Sequence, residues 1–174
     1  MKYLKTFDKL KVDIDEPDII KAAKKGNSAK IRNILKTKPD SINDTDIVLK
    51  RTALIYAVIN KYIVIVDILL KNGANPNIKD NSGYTALSLA KTMKCIDLLL
   101  KYNVDVNIKN KFGRTAIMTY IDSISLFSVE NIIIILKKFL EHGLDLDIKD
   151  NGNYNFYDLL KIYETSENAL DKIY

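Results

Sequence analysis

A protein that transforms a substrate needs a base, a nucleophile or a set of metal ligands, and this chain offers few of them. His142, in "LEHGLDL", is the one histidine, and Cys95 is the one cysteine. A histidine-based triad would therefore rest on His142 alone, and no acid and nucleophile have a recognisable setting around it. Its place beside Gly143 suits capping of a helix end or plain exposure. Cys95 falls on the inner side of an amphipathic stretch, the position of a core thiol rather than a nucleophile. Asp145 and Asp147 alternate along an extended segment, but neither they nor "VDIDEPD" near the start follow the calcium-loop pattern. "KKGN" at Lys24 and "NSG" at Asn81 lack the glycine spacing and the Lys-Ser/Thr of a phosphate loop. We therefore expect no cofactor, no metal, no small-molecule substrate and no enzyme activity.

Composition narrows the class. The chain has 174 residues, 47% of them hydrophobic, enough for a real core. Its mean hydropathy of -0.08 suits a soluble protein. The formal charge is +5, but 27 basic and 22 acidic residues are interspersed rather than gathered in a tail. Arginine is scarce (Arg32, Arg51, Arg114), and it is the commonest reader of base edges and phosphate. A single cysteine excludes an internal disulfide framework and fits a reducing compartment, so a cytoplasmic location is expected. The opening "MKYLKTFDKLKVDIDE" lacks the apolar core of a signal peptide, and "IIIIL" from Ile132 is far too short to span a membrane.

The elements that would carry any site recur. "TAL" stands at Thr52 and Thr85, 33 residues apart, and "TAI" follows at Thr115. "DILLKNGANPNIKD" from Asp67 aligns with "DLLLKYNVDVNIKN" from Asp97 and "KKFLEHGLDLDIKD" from Lys137. Each unit reads as a short helix begun at Thr, a turn, a longer amphipathic helix, then an extended hairpin. Thr52, Thr85 and Thr115 can cap the first helices. Ala53, Ala57, Ala86, Ala90 and Ala116 would allow close helix approach. Leu69, Leu70, Leu98, Leu99, Phe139 and Leu140 are read as the buried stripe of the second helices. Gly73, Asn103 and Gly143 stand where a helix ends in the left-handed region.

This pattern closely resembles the ankyrin repeat, carried by "SGYTALSLA" with "LLKNGANPN" and by "FGRTAIM" with "LLKYNVDVN". Degenerate copies extend it: "DIIKAAKKGNSAKIRNILKTKPDSIN" before these units, and "NYNFYDLLKIY" with "ENALDKIY" after them as a capping unit. The resemblance implies an all-α ankyrin-repeat solenoid: stacked helix-turn-helix pairs with short β-hairpin loops. Units are expected at about 17–48, 49–81, 82–111, 112–151 and 152–174, after an N-terminal extension of residues 1–16. Helix pairs should begin near Asp18, Thr52, Thr85, Thr115 and Asn155. Because "MKYLKTFDKLKVDIDE" does not read as a truncated repeat, a complete small protein is expected. Exit spacing is uneven. The third unit has lost about three residues around "AKTMKCID", and the fourth has gained about seven in "YIDSISLFSVEN". That gain, Asp122 to Asn131, is either a recognition loop or a lengthened first helix.

The family's role implies non-enzymatic protein–protein interaction through hairpin tips and inner helices. Its recognition positions fall on Val48, Leu49 and Arg51; on Asn81, Ser82 and Tyr84; on Lys111, Phe112 and Arg114; and on Asn151 and Tyr154. On the first helices they fall on Ile59, Asn60, Thr92, Met93, Asp122 and Ser123. Tyr84, Phe112 and Arg114 are the expected centre, read as equivalent repeat positions not needed by the repeat's own turn or cap. Lys79, Lys109, Lys111 and Lys149 form a ladder of hairpin lysines, diluted by the neighbouring acids Asp80 and Asp150. A weak nucleic-acid binder on that ladder is one alternative, and a self-associating or assembly element, or a fragment of a larger chain, is another. No nucleic acid and no membrane are the favoured expectations. The Lys/Ile/Asn bias resembles small ankyrin proteins of AT-rich bacteria, large DNA viruses or intracellular parasites. Host-protein binding, within a host cell, or toxin neutralisation would suit such a protein.

Overall fold

The computed structural model describes residues 16–121 and 129–163. Helices come in pairs: α1 (Asp18–Lys24) with α2 (Ser28–Thr37), and α3 (Ala53–Ile59) with α4 (Ile63–Lys71). Then come a 3-10 turn (Leu87–Leu89) with α5 (Met93–Leu100), α6 (Ala116–Ile121) with α7 (Val129–Glu141), and α8 (Phe156–Tyr163). A further 3-10 turn, Pro39–Asn43, follows α2. The first helices pack in series, α1 on α3, α3 on the Leu87–Leu89 turn, that turn on α6, and α6 on α8. The second helices form the other layer, α2 on α4 and α4 on α5. Among the described residues there is no β-strand, only one isolated bridge between Thr45 and Thr52, so the hairpins are turns.

Local chemistry explains the starts and stops. The Thr52 hydroxyl accepts the Ile55 amide at 3.2 Å, and Asn27 accepts that of Lys30 at 2.9 Å. Asn155 and Asp158 cap each other reciprocally, each side chain accepting the other's amide at 3.0 Å. Thr115 departs from the expected pattern. Its buried hydroxyl has no hydrogen-bond partner among the described residues, because Met118 stands where Ser88 answers Thr85. Helix exits fall as expected, with positive φ at Gly73, Asn103 and Gly143.

Two further expectations are corrected. The first helix of the third unit is only the Leu87–Leu89 turn, and Ala90 is already extended. The chain must reach the α5 cap at Thr92 from Thr85, so the three missing residues are taken from this helix. The buried stripe also needs amendment: Leu69, Leu70, Leu99 and Phe139 are core, but Leu98 is half-buried and Leu140 is 45% exposed. On α7 the stripe is centred on Ile132, Ile135, Leu136 and Phe139, and Leu140 lies about 100° past Phe139, at its edge. Part of the fourth unit's gain lengthens this second helix, since α7 runs 13 residues against 8 in α5. Residues 122–128 of that gain lie outside the described residues.

Side chains lace one unit to the next along the exits. Asn77 donates to the Asn103 carbonyl at 3.0 Å and accepts the Asp105 amide at 2.9 Å. Asn107 repeats both bonds with Gly143 and Asp145, at 2.8 and 2.9 Å. His142, whose two ring nitrogens face the Lys138 and Leu100 carbonyls at 2.8 and 3.0 Å, belongs to this lacing, and its expected place at a helix end holds.

Candidate functional site

The hairpin turns are built around carboxylates. Asp80 accepts the Ser82 and Tyr84 amides at 2.8 and 3.0 Å on one oxygen, and the Arg51 guanidinium at 3.0 Å on the other. Asp150 does the same with the Gly152 and Tyr154 amides and with Arg114, at 2.8, 3.1 and 3.1 Å. Each turn also donates to the turn before it: Asn81 to the Leu49 carbonyl at 2.7 Å, Lys111 to Ser82 at 3.0 Å, and Asn151 to Phe112 at 2.9 Å. The tips therefore stand as one braced row, and residues distant in sequence become neighbours.

Burial by itself pushes the Asp150 carboxyl up, but the Tyr154 and Gly152 amides and the Arg114 guanidinium outweigh it and hold it below the ordinary value. Asp46, in the first turn, is likewise held down against burial by the Leu49, Arg51 and Val48 amides and the Tyr56 hydroxyl. Both stay ionised as structural acceptors. Burial pushes the Cys95 thiol up, in keeping with a core residue.

Against this row the sequence candidates divide. Tyr84, Phe112, Arg114, Asn151 and Tyr154 line one concavity of about 500 Å³, together with Thr119, Asp150 and Gly152. Phe112 is 60% exposed and Tyr154 46%, while Tyr84 is half-buried. Lys111 and Ser82 are exposed at the adjoining tips. Val48, 69% exposed, and Leu49, 40%, stand at the first tip.

Several candidates do other work. Arg51 and Arg114 brace their units through Asp80 and Asp150, so Arg114 is needed by the repeat itself, contrary to expectation. Asn81 and Asn151 also donate side-chain bonds to the preceding turn, to the Val48 and Lys111 carbonyls. Thr92 is not on a first helix: it caps α5, its hydroxyl accepting the Cys95 amide at 3.3 Å, and Met93 opens that helix. Asn60 closes α3 and donates to the Tyr56 carbonyl at 3.0 Å, and Ile59 is half-buried against the core. Phe112 is equivalent to Ser82, two positions before the Tyr84–Arg114 register. Asp122 and Ser123 lie outside the described residues.

The turn carboxylates were the missed signal, although "D-x-x-G" at Asp80 announces them. The lysine ladder also needs revision, because Asp80 and Asp150 are buried and face inward. Among the described residues no helix is long and apolar enough to cross a membrane.

Paired helices, carboxylate-centred turns and the recurring exit define a stacked-repeat scaffold. The family model for ankyrin repeats (three copies) matches residues 19–110, and the chain belongs to the ankyrin repeat family. Ankyrin repeats are generally non-enzymatic protein–protein interaction modules. Comparison with curated proteins finds no match.

Proposed function

We propose that the chain acts by stoichiometric protein binding through its hairpin tips, with a partner side chain seated between Tyr84, Phe112 and Tyr154. The observation that carries this reading is the concavity those rings share, one wall of which is the exposed Phe112. Large rings held on a rigid row lose little freedom on binding, and aromatic side chains dominate the energetics of many interfaces. Arg51 and Arg114 serve as braces whose outer edges border the partner, and Asn81, Ser82 and Lys111 supply polar rim contacts. Within this reading the work is done in a reducing, cytoplasmic compartment, the chain's own or that of a host cell. Neutralising a toxin and engaging a host protein are both occupations of this kind.

Phe112→Ala is the decisive variant, since the ring touches the concavity and is mostly in solvent. Partner recovered by affinity capture should bind this variant more weakly by over ~1 kcal/mol in calorimetry, with thermal stability nearly unchanged. Equal binding by parent and variant would place the contact on another face.

A further inference from the structure

The five lysines of the turns, Lys50, Lys79, Lys109, Lys111 and Lys149, are all exposed, and none forms an ion pair among the described residues. The acids at the centres of the turns are turned inward. Asp46, Asp80 and Asp150 are 4%, 6% and 9% exposed, and their oxygens are taken up by backbone amides, by guanidinium groups or by the Tyr56 hydroxyl. Asp105, Asp145 and Asp147, at the helix-exit end of these segments, are exposed, the first two also accepting the amides of Asn107 and Asp147 at 2.8 and 2.9 Å. The row of tips consequently shows solvent a positive edge that the nearly balanced composition hides.

We infer that the partner segment is acidic: a peptide that seats one apolar side chain between Tyr84, Phe112 and Tyr154 and lays flanking carboxylates against Lys109, Lys111 and Lys149. The inference rests on the protein-binding reading above and adds the chemistry of the partner. Charge complementarity of this kind chiefly sets encounter rate and choice of partner. A single strand of nucleic acid is the rival polyanion. Such ligands favour rings at successive steps along a basic track. Here the tips carry Val48, Ser82, Phe112 and Gly152 in turn, and the rings converge on one seat instead. The two guanidinium groups of the row, the best phosphate readers, are already committed to Asp80 and Asp150.

Selection of a random twelve-residue display library against the full chain tests this, with the Phe112→Ser chain as the counter-selection. Enriched peptides should carry Asp and Glu around one Phe, Leu or Trp. As synthetic peptides they should bind Lys111→Glu/Lys149→Glu at least about tenfold more weakly and lose affinity as salt rises. Enrichment of neutral or basic peptides that still need Phe112 would overturn the acidic assignment and leave the protein-binding reading standing. Absence of any Phe112-dependent enrichment would overturn both. Tighter binding of a twenty-nucleotide single strand than of the best acidic peptide, at equal salt, would give the edge to nucleic acid.

Discussion

At Tyr84 and Asn110 the chain has replaced both members of a pair that it keeps on either side. Arg51 meets Asp80 at one boundary and Arg114 meets Asp150 at another, while the equivalent middle positions are a phenol and an amide. Asn110 still accepts the Phe112 and Arg114 amides at 2.9 and 3.0 Å, as an aspartate would, but its buried amide nitrogen has no partner among the described residues. Asn110→Asp alone should place a buried carboxylate without its guanidinium, and Tyr84→Arg alone should place a guanidinium against an amide. Made together they should restore the brace. A urea-denaturation cycle of the four proteins is expected to give a favourable coupling of about 1–3 kcal/mol. Coupling indistinguishable from zero would mean the two positions do not face each other. The turns were legible in "NSGYTAL" and "KFGRTAI", but the cap expected at Thr115 was misread and the partner of each Arg was not legible. Asp80 and Asp150 lie 29 and 36 residues beyond their arginines, and only the stacking of the turns shows which arginine reaches which carboxylate.

Elements were legible wherever the repeat kept its length. Thr52 and the paired small residues predict α3, and "DILLKNG" predicts α4 with its glycine exit, both as observed. The reading failed at the shortened third unit. A three-residue loss can be absorbed by a turn or by a helix, and sequence alone does not rank the two. It failed again on which leucines of a run face inward, because adjacent residues on a helix differ by about 100° and a run covers both stripe and edge. Leu99, fully buried in α5, and Leu140, 45% exposed on α7, make the contrast measurable. Leu99→Ala should cost roughly 2–5 kcal/mol in urea denaturation, the range for truncating a core leucine. Leu140→Ala should cost well under that, within about 1 kcal/mol, because its methyl groups already meet water. Similar losses at both sites would show that the α7 register is wrong.

The whole molecule holds together by how closely each tip lies on the next, and that closeness has a measurable consequence. Gly83, at φ +80°, brings its Cα so near the following turn that an added Cβ would sit 2.8 Å from the Asn110 Cα and from the Lys111 nitrogen. Those are backbone atoms, which can yield only by moving the turn, and the Lys111–Ser82 bond would move with it. Gly73 has a similar φ, +88°, but nothing lies within 4 Å of its would-be Cβ. Alanine at Gly73 therefore measures backbone strain alone, of order 1–2 kcal/mol for a non-glycine residue in that region. Alanine at Gly83 carries the same strain and a clash against the following turn, so the excess of Gly83→Ala over Gly73→Ala reports the stacking of turns itself. We expect that excess to be at least ~1 kcal/mol, the lower end of the cost of overpacking. Because Gly83 precedes Tyr84 and its clash falls two residues before Phe112, any Gly83→Ala protein that remains folded should also bind the partner more weakly. Gly73→Ala should bind as the parent does. Equal stability of the two alanine variants would mean that the turns do not rest on one another, and that the rings of the proposed seat are not held by a common row.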